Sequence, residues 1–524
     1  MSYKKGKKNR AYNIQTIPEF FAEKSVLITG GTGFVGKVLI EKILRSCPEV
    51  TKIYLLIRPK GTKTLEDRTN ELRNLPIFVK VKRQDENSLL KIVAIKGDVT
   101  EPGLGISEED RKLLIDEVSI VFHVAASVRF DDPLKKAILM NTRGTYEMVK
   151  LAQQMRILQS FVHVSTAYCN THKEIIEEIV YPAPADWREV IHIAENMDQE
   201  ALEVFCGKIL GFYPNTYTYT KALAEHVVLD HADSIPAAIF RPTIVISSVV
   251  EPLPGWVDNF NGPVGLIVAG GKGLIRTLYT DPNIMPDYIP VDFAVRAMIT
   301  VAWNRACSLE DDFSQLPVYN CSSDDVKRIT QRETIDLGIY VTQDVPFNDI
   351  LWLPSTSVTK CRFNHYILVF FLHFIPALVF DTILKLLKKK PLLVKLQRKI
   401  FVANMALEYF LTRHWSFRHE RLINLNYKIF EEDKPQFDYM LPADFDVMEY
   451  YRNCAYGARQ YLLHEDNVEL PEAKKHRLRM YWLDKFIKTL FLIFMVYLAL
   501  KFQVVTSLRM SLTSFASQLT NFEL

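Results

Sequence analysis

A tyrosine and a lysine four positions apart, Tyr217 and Lys221, open an apolar run whose period predicts a helix. Side chains at this spacing lie on one helix face, where the ammonium would lower the pKa of the phenol towards neutrality. Ser165 and Thr166 end a predicted strand that begins at Phe161, and both offer a hydroxyl group. These groups suit carbonyl reduction, because a hydride must reach the carbon while a phenol protonates the oxygen and a hydroxyl donates to it.

Spacing alone does not single out Tyr217, because the Tyr-x-x-x-Lys pattern also begins at Tyr3, Tyr146, Tyr481 and Tyr497. Position does, since the Tyr217 helix lies between the strand that ends at 165–166 and a predicted late strand, 237–240. The carboxyl ends of parallel strands share one edge of a sheet, beside which a nicotinamide would lie. We therefore predict that these side chains form one catalytic group, in which the lysine also holds the nicotinamide ribose. The alternative is that they have packing roles only. The members of the group are Tyr217, Lys221, Thr166 and Ser165.

A glycine-rich segment, Gly30-x-x-Gly33-x-x-Gly36, separates a predicted strand, 26–29, from an apolar helical run. The first glycine permits a tight turn, the second lets the backbone approach a pyrophosphate, and the third lets the helix pack closely on the strand. The N-terminus of that helix would then face the anion. The order of strand, loop and helix predicts a dinucleotide site, with a plain glycine-rich turn as the alternative. The site comprises Thr29, Gly30, Gly31, Thr32, Gly33, Phe34, Val35 and Gly36.

The residues after the second predicted strand, 53–57, indicate which nucleotide binds. Dehydrogenases that use NAD place an acidic residue here for the ribose 2′-hydroxyl, whereas this chain has Arg58 and then Lys60. A guanidinium can bind a 2′-phosphate through two parallel hydrogen bonds. We therefore predict NADPH as the cofactor; the alternative is a solvated basic loop.

The elements that must position these residues alternate between strand and helix from about residue 24 to 320, which predicts an α/β fold. The expected architecture is a Rossmann-type doubly wound parallel sheet, followed by a smaller helix-rich C-terminal domain and a C-terminal hydrophobic segment. The predicted divisions are a basic tail, 1–20, an NADPH-binding reductase domain, 21–330, and a helical domain, 355–484. Proline and glycine concentrate between residues 251 and 290, where we expect a loop-rich segment over the pocket.

Charge and cysteine content exclude several classes of protein. A formal net charge of +3 on 524 residues gives no nucleic-acid footprint, and seven scattered cysteines form neither a CxxC pair nor a metal-binding spacing. Cys169 is therefore not expected to act as a nucleophile. His123 and His163 lie inside apolar strand patterns, which favours hydrogen-bonded structural roles for both. The basic N-terminus precedes no apolar core, so we expect no secretory signal.

Two apolar stretches suggest contact with a membrane. The stretch 486–505 follows a basic cluster and is the better candidate for a single transmembrane anchor, with the catalytic domain in the cytosol; a buried or interfacial helix is the alternative. The stretch 366–380 contains Pro376 and is flanked by lysines, which favours a helix lying in the membrane interface.

Several motifs together resemble the extended short-chain dehydrogenase/reductases. They are the glycine-rich segment, Gly97-Asp98-Val99, His123-Val-Ala125-Ala126, His163-Val-Ser165-Thr166, Tyr217-x-x-x-Lys221 and Arg241-Pro242-Thr243. More narrowly, the chain resembles the alcohol-forming fatty acyl-CoA reductases over nearly its whole length. The segments Trp415-Ser-Phe417 and Gly457-Ala-Arg459-Gln-Tyr461 are similar to the C-terminal "male sterility" type domain of that family. The chain departs from the family around 418–421 and at Val447, which bears on the preference for acyl chains.

The resemblance implies further cofactor contacts: Asp98 and Val99 at the adenine, Ala125 and Ala126 along the cofactor, and Pro242 and Thr243 beside the nicotinamide. It also implies NADPH-dependent reduction of long-chain acyl-CoA to fatty alcohol through a hemithioacetal and an aldehyde, with release of CoA. The expected partners are acyl-CoA and a lipid membrane, of the endoplasmic reticulum or the peroxisome, with a possible homo-oligomer. The alternatives are a membrane-bound hydroxysteroid dehydrogenase-like reductase and a catalytically silent NADPH-binding membrane scaffold.

Overall fold

The computed structural model describes residues 15–59, 61–261, 263–307, 316–323 and 328–501. Three sequence predictions fall wholly or partly outside these ranges. They concern Lys60, most of the basic tail, and residues 502–505 of the C-terminal hydrophobic segment.

Strands in the described residues build one main parallel sheet and three small pairs. Their bounds are β1 Ser25–Thr29, β2 Lys52–Ile57, β3 Ile92–Lys96, β4 Val118–His123, β5 Ser160–Val164, β6 Ile175–Ile176, β7 Ala237–Pro242, β8 Ile244–Ile246, β9 Thr277–Tyr279, β10 Tyr288–Pro290, β11 Val318–Cys321, β12 Ser357–Thr359 and β13 Ser416–Phe417. The main sheet has seven strands in the order β11-β7-β5-β4-β1-β2-β3, all parallel. The apolar runs of the sequence predict six strands, 26–29, 53–57, 92–96, 120–123, 161–165 and 237–240, and all six lie in this sheet. The edge strand β11 was not predicted.

The helices of the described residues are α1 Ile17–Phe21, α2 Phe34–Ser46, α3 Leu65–Arg73, α4 Val79–Gln84, α5 Glu108–Glu117, α6 Leu134–Ala137, α7 Gly144–Ala152, α8 Trp187–Asn196, α9 Gln199–Leu210, α10 Thr216–Leu229, α11 Pro263–Gly271, α12 Val291–Cys307, α13 Gln331–Asp344, α14 Arg362–Val369, α15 Ile375–Leu386, α16 Leu393–Leu411, α17 Glu420–Asn426, α18 Lys434–Phe437, α19 Val447–Gly457 and α20 Leu470–Lys501. Three π-helical turns, Ile138–Arg143, Phe370–Phe374 and Ala458–Leu462, adjoin these helices.

Helices cover both faces of the sheet, as the sequence predicts. Every residue of β1 is buried, and its side chains alternate between two cores: Val26 and Ile28 pack on the side of α2 and α12, and Leu27 packs on the side of α7 and α10. Such strands read as continuous apolar runs because both faces are buried. The fold is therefore the expected doubly wound α/β sheet.

The chain order reverses between β1 and β4. It runs from β1 outward to β2 and β3 and then returns to β4 on the other side of β1. In sheets of this kind, ligands bind in the crevice outside the carboxyl ends of the strands at such a switch point. The glycine-rich segment follows β1, and Ala125 follows β4, so both lie at this crevice.

Helices dominate the chain after residue 330, as predicted, but two predicted limits differ from the structure. The basic tail was drawn to residue 20, whereas Ile17, Phe20 and Phe21 in α1 are buried, because three apolar residues in five can pack against the core. The limit near residue 484 falls inside α20, which runs without a break because no helix-breaking residue follows Pro471 within it. The predicted loop-rich segment, 251–290, contains α11 and two short strands that do not join the main sheet.

Candidate active site

The glycine-rich loop is packed so tightly that side chains would not fit at two of its positions. Gly30 has a φ of +73°, and a Cβ there would lie 2.8 Å from the Ala125 nitrogen. A Cβ on Gly36 would lie 2.3 Å from the Gly30 carbonyl oxygen. Gly33 caps α2 without a side-chain hydrogen bond, so the first backbone N–H groups of the helix remain directed at the crevice. This cradle fits the pyrophosphate of a dinucleotide.

Thr29 joins the ends of β1 and β4 beneath this loop. Its hydroxyl lies 2.8 Å from His123 Nδ1 and accepts a hydrogen bond from the Ala125 nitrogen at 3.2 Å. His123 Nε2 bonds to the Thr145 hydroxyl at 3.0 Å, so both ring nitrogens are satisfied. Burial lowers the pKa of His123 to about 3, and the imidazole is therefore neutral. His123 has the structural role that the sequence predicts.

His163 differs from this expectation. It is fully buried beside His123, with ring centroids 5.4 Å apart, and neither of its ring nitrogens has a hydrogen-bond partner among the described residues. Burial lowers the pKa of His163 well below its usual value. The side chain is buried as predicted but lacks the predicted hydrogen bond, because both ring nitrogens of its strand neighbour His123 are bonded to Thr29 and Thr145.

Residues at the ends of β2 and β3 flank the other side of the crevice. Arg58 directly follows β2 and is exposed, as the NADPH prediction requires. Asp98 follows β3, and its Oδ1 accepts hydrogen bonds from the Thr100 nitrogen and hydroxyl at 3.0 and 2.9 Å. Val99 is buried next to it. A side chain at Gly97 would meet Leu56, which keeps β3 and its following turn close to β2.

The predicted catalytic residues meet where β5 ends and α10 begins. Asn215 caps α10 by accepting the Thr218 N–H at 2.9 Å, which fixes Tyr217 in the first turn. The Thr166 side chain interacts with the Tyr217 phenol. Lys221 is only 1 % exposed, and its Nζ donates to the Val164 carbonyl oxygen at 2.6 Å. Phenol, hydroxyl and ammonium are therefore grouped at one end of β5.

The pKa of Tyr217 does not follow the predicted direction. Burial raises the pKa of the phenol, and the interaction with Thr166 opposes this rise only in part. Lys221 does not offset this rise, and its ammonium donates to the Val164 carbonyl oxygen. The phenol is therefore protonated at neutral pH, which is the form that donates a proton. Burial also lowers the pKa of Lys221 to about 8, against the opposing charge of Glu225.

Ser165 and Thr166 point to opposite sides of the strand end. Thr166 faces Tyr217, whereas Ser165 lies against Glu225 and Cys169. The thiol donates to Glu225 Oε1 at 3.3 Å, and burial raises the pKa of Cys169. The cysteine is thus a protonated thiol, which agrees with the prediction that it is not a nucleophile.

A buried ion pair that the sequence analysis did not single out supports this group from behind. Arg241 donates to both carboxylate oxygens of Glu225 at 2.7 and 2.6 Å and to the carbonyl oxygens of Glu177 and Ile179. Neither charged side chain is exposed by more than 1 %. Glu225 lies one turn after Lys221 in α10, so the pair fixes this helix to β7. The sequence signal was Arg241 itself, which directly follows the predicted strand 237–240 and begins the Arg241-Pro242-Thr243 motif.

Asn141 was also missed. It lies in the π-helical turn Ile138–Arg143, and its side chain accepts the Ser127 N–H at 2.8 Å and donates to the Thr220 hydroxyl at 2.9 Å. It therefore connects the loop after β4 to α10. A signal was present nearby, because Gly144 interrupts a helical pattern, and a side chain there would meet Val99.

Pro242 and Thr243 end β7 beside the same crevice. The Thr243 hydroxyl donates to Asp287 Oδ1 at 2.9 Å, and the backbone nitrogen of Ser323 donates to the same oxygen at 3.1 Å. Ala126 follows Ala125 in the loop after β4 and is half-buried. The predicted residues that the structure describes thus lie along one crevice, from the glycine-rich loop to the end of β7.

A large apolar cavity begins next to this group. Its empty space, with the open solvent at its mouth included, is about 1700 Å³. Elements of both halves of the chain line it, among them α11, α13, α16 and α19. The predicted loop-rich segment forms one wall through residues such as Ile267, Leu278 and Ile284.

Aromatic rings separate the cavity from the catalytic group. Tyr217 stacks on Phe130 with centroids 5.9 Å apart, and Phe130 contacts Phe410 at 5.2 Å. Phe410 lines the cavity and meets Tyr168 edge-on at 5.6 Å. Trp415 also contacts Tyr168, which brings the C-terminal half to the end of β5. The cavity wall at Phe410 is therefore one ring, that of Phe130, away from Tyr217.

Fold and site define a nicotinamide-dependent oxidoreductase with a Rossmann fold, and comparisons with known proteins place it in a family. Two family models, both described as "Male sterility protein", match residues 28–298 and 372–465. Among curated proteins, the chain is 38% identical to fatty acyl-CoA reductase 1 of Xenopus laevis, with 88% of this chain and 89% of that protein covered. It is 37% identical to human fatty acyl-CoA reductase 1 over the same shares. The chain belongs to the fatty acyl-CoA reductase family.

Solved structures agree on the fold. The terminal R domain of the myxalamid PKS-NRPS pathway superposes with a TM-score of 0.55 at 18% identity, covering 85% of this chain and 93% of that one. The reductase domain of a nonribosomal peptide synthetase from Mycobacterium tuberculosis gives a TM-score of 0.54 at 18% identity, with 86% and 94% covered. At this level of identity the likeness concerns the fold.

Proposed function

We propose that this chain reduces long-chain fatty acyl-CoA to the fatty alcohol with NADPH and releases CoA. The observation that carries the proposal is the apolar cavity lined by Tyr168 and Phe410, which only the ring of Phe130 separates from Tyr217. Its lining is largely aliphatic and aromatic, so it suits a long alkyl chain and leaves a thioester carbonyl at the phenol.

When bound, NADPH supplies the hydride for each reduction. Tyr217, protonated because burial raises the pKa of its phenol, gives its proton to the oxygen of the carbonyl. Thr166 donates a hydrogen bond to that oxygen as negative charge develops on it. The resulting hemithioacetal returns its hydroxyl proton to the Tyr217 phenolate as it expels CoA thiolate and becomes an aldehyde. A second NADPH would supply the hydride for the aldehyde, and Tyr217 again protonates the oxygen, which gives the alcohol.

The cofactor contacts follow the crevice. The loop from Thr29 to Gly36 would hold the pyrophosphate, Asp98 would meet the adenine, and Lys221 would hold the nicotinamide ribose. Arg58, exposed at the end of β2, would bind the 2′-phosphate and so favour NADPH over NADH. Ala125, Ala126, Pro242 and Thr243 would line the space between.

We further propose that α20 anchors the protein in a membrane, with the catalytic domain on the cytosolic side. From Phe486 onward its apolar side chains are exposed on every face, as in Phe491, Phe494 and Leu500. Basic residues precede this part of the helix, as the positive-inside rule requires: Lys474, Lys475, Arg477, Arg479 and Lys485. The compartment, the endoplasmic reticulum or the peroxisome, and a homo-oligomer remain predictions from the family resemblance.

The test is to supply detergent-purified protein with NADPH and a series of acyl-CoA esters of increasing chain length and to identify products by mass spectrometry. We expect fatty alcohol and free CoA, with two NADPH consumed for each alcohol formed. NADPH binding without turnover of any ester would instead favour the silent scaffold. Turnover of a hydroxysteroid but of no acyl-CoA would favour the steroid dehydrogenase.

A further inference from the structure

The long apolar helix from Arg362 to Leu386 buries three polar side chains, those of His365, His373 and Asp381, along one face. It consists of α14, a π turn and α15. Its buried residues recur every four positions: His365, Val369, His373, Ala377 and Asp381. His373 Nε2 accepts the N–H groups of Arg276 and Thr277 at 2.9 and 3.2 Å. Asp381 accepts three N–H groups at the start of α16, those of residues 392–394, at 2.9 Å each.

The next helix, α16, is attached in the same way. Gln397 donates to the Leu274 carbonyl oxygen at 2.9 Å, and the Asn404 side-chain oxygen accepts the Tyr279 N–H at 3.3 Å. Both side chains are buried. The helical hairpin α14–α16 is therefore hydrogen-bonded along its length to the segment 274–279 of the body.

The opposite face of the first helix of this hairpin is apolar and exposed. The exposed fractions reach 74% for Phe363, 62% for Leu378 and 79% for Leu386. Other large side chains on this surface are Ile367, Phe370, Phe371, Ile375, Val379, Phe380, Ile383 and Leu387. A continuous apolar surface of this extent marks a site of interaction.

The helix is long and apolar enough to cross a membrane, but its attachment argues against crossing. It has 25 residues and a mean hydropathy of 2.3, and it is the one helix in the described part of the chain that meets both criteria. Crossing would pull His373 away from the N–H groups of Arg276 and Thr277 and leave them without a partner, and buried polar groups without partners are costly. By contrast, α20 has no buried residue after Asp484.

Basic residues collect where this helix ends and the next begins. They are Lys385, Lys388, Lys389, Lys390, Lys395, Arg398 and Lys399, all exposed. Clusters of this kind beside an amphipathic helix attract anionic lipid headgroups. We propose that the hairpin α14–α16 lies in the plane of one membrane leaflet, with the apolar face of 362–386 in the acyl layer and these cations at anionic phospholipids.

This position brings the bilayer within one helix of the cavity. Leu407, Phe410 and Leu411 of α16 line the cavity, and α15 packs beside α16. An acyl chain could pass from the lipid layer into the cavity around this helix. That consequence rests on the proposed function, whereas the binding of lipid by the hairpin does not.

The depth of individual side chains in a bilayer distinguishes a helix in the plane from a spanning one. The full chain, with its exposed and partly exposed cysteines replaced by serine, is reconstituted into vesicles of phosphatidylcholine and phosphatidylserine. One environment-sensitive fluorophore is attached at a time, through Phe363→Cys, Phe371→Cys, Leu378→Cys or Leu386→Cys, and its depth is measured with lipid-borne quenchers. We expect all four positions at a similar shallow depth in one leaflet.

Two other patterns would overturn the proposal. A depth that is greatest near Phe371 and Leu378, with the two ends in opposite leaflets, would mean that the helix spans the bilayer. Full access of a water-soluble quencher to all four positions would mean that lipid does not cover this face. A fluorophore attached through Phe491→Cys in α20 is the control. Its depth in the same vesicles shows whether the protein is inserted in the bilayer.

Two pairs of matched variants separate the apolar face from the charges. Leu378→Glu should expose the Phe371 label to water, whereas Leu90→Glu, at another exposed leucine, should not. Lys389→Gln with Lys390→Gln should weaken the protection that phosphatidylserine adds, by about fivefold for each lysine. Lys80→Gln with Lys112→Gln should leave it unchanged. NADPH binding in detergent shows whether each variant is folded. The proposal would be contradicted if Leu378→Glu and Leu90→Glu had the same effect on the label, or if the two double lysine variants did.

Discussion

At the scale of single residues, the neighbouring side chains of Ser165 and Thr166 have different contacts in the site. Thr166 meets the Tyr217 phenol, while Ser165 lies on the other side against Glu225. Adjacent residues at the end of a strand point to opposite faces, so only one of the two hydroxyl groups can serve the substrate. The structure favours Thr166 for that role.

Replacing Tyr217 with phenylalanine removes the proton donor and leaves the ring stacked on Phe130. We expect kcat to fall by roughly two to four orders of magnitude, because general acid catalysis typically contributes that much. NADPH binding, measured by fluorescence, should be retained. Tyr481→Phe has the same sequence spacing but lies in α20, and it should not change the rate. Equal effects of the two variants would refute the assignment.

Arg58→Asp tests the cofactor. Charge-assisted hydrogen bonds to the 2′-phosphate are worth about 1.5–3 kcal/mol, so their loss should raise the KM for NADPH roughly tenfold or more. NADH lacks this phosphate, and the difference between the two cofactors should therefore narrow. The steady-state kinetics of both cofactors check this, and an unchanged preference for NADPH would contradict it.

The pKa of Lys221, lowered by burial to about 8, predicts how activity depends on pH. The side chain is charged below this value and neutral above it, and the charged form would donate the stronger hydrogen bond to the nicotinamide ribose. We expect kcat/KM for NADPH to be level below pH 8 and to fall as the pH rises through about 8. Lys221→Arg should lower the rate but remove this decline, since arginine stays charged. A level profile of the unaltered protein up to pH 9.5 would refute the role.

At the scale of elements, the cavity joins helices of the C-terminal half to the sheet. Thr342 lines it near the end of α13, and Gly271 and Phe347 pack close by. Phe410, by contrast, lies within one ring of the catalytic group. The cavity thus has an inner end at Phe130 and Phe410 and a more distant wall at α13.

Thr342→Phe should shorten the space for the acyl chain. The added ring occupies the distant wall, so we expect kcat/KM to fall at least tenfold for the longest esters and to change little for shorter ones. Ile335→Leu, which keeps the volume of another lining residue, is the control. The measurement is product formation across the ester series, and a uniform loss at all lengths would contradict the assignment of the cavity to the acyl chain.

At the scale of the whole molecule, two apolar helices are attached to the body in different ways. Trp352 donates to Asp484 at 2.8 Å, and Lys488 pairs with the same carboxylate at 2.7 Å, so α20 is held only at its base. The hairpin α14–α16 is held along its length. Attachment at the base alone suits a membrane anchor that extends away from the body, as proposed for α20. Attachment along the whole length suits a helical surface that lies on the bilayer, as proposed for α14–α16.

Deleting the residues after Lys488 should therefore change the kind of membrane attachment. Full-length protein should resist alkaline carbonate, whereas the shortened protein should remain on membranes in neutral buffer and be released by carbonate. Reductase activity should persist in part, since the proposed catalytic residues all precede Lys272. Fractionation measures both forms. Release of full-length protein by carbonate would refute the anchor, and resistance of the shortened form would assign the anchor to 362–386.

The sequence by itself determined the features that depend on local pattern. The period of apolar residues predicted six of the seven strands of the main sheet, and the glycine spacing predicted the cradle after β1. Such features follow from how a few consecutive residues fold. The short edge strand β11 was missed, because four residues in an ambiguous context give too weak a signal.

Only the tertiary structure decided what depends on distant contacts. The Glu225–Arg241 pair and the contact between Phe130 and Phe410 join segments far apart in the chain, so no spacing predicts them. Burial sets the pKa of Tyr217 in the direction opposite to the one that helical spacing suggests. The apolar composition of 362–386 fits a spanning helix equally well. Its attachment became visible because His373 finds its partners, Arg276 and Thr277, about a hundred residues away in the chain.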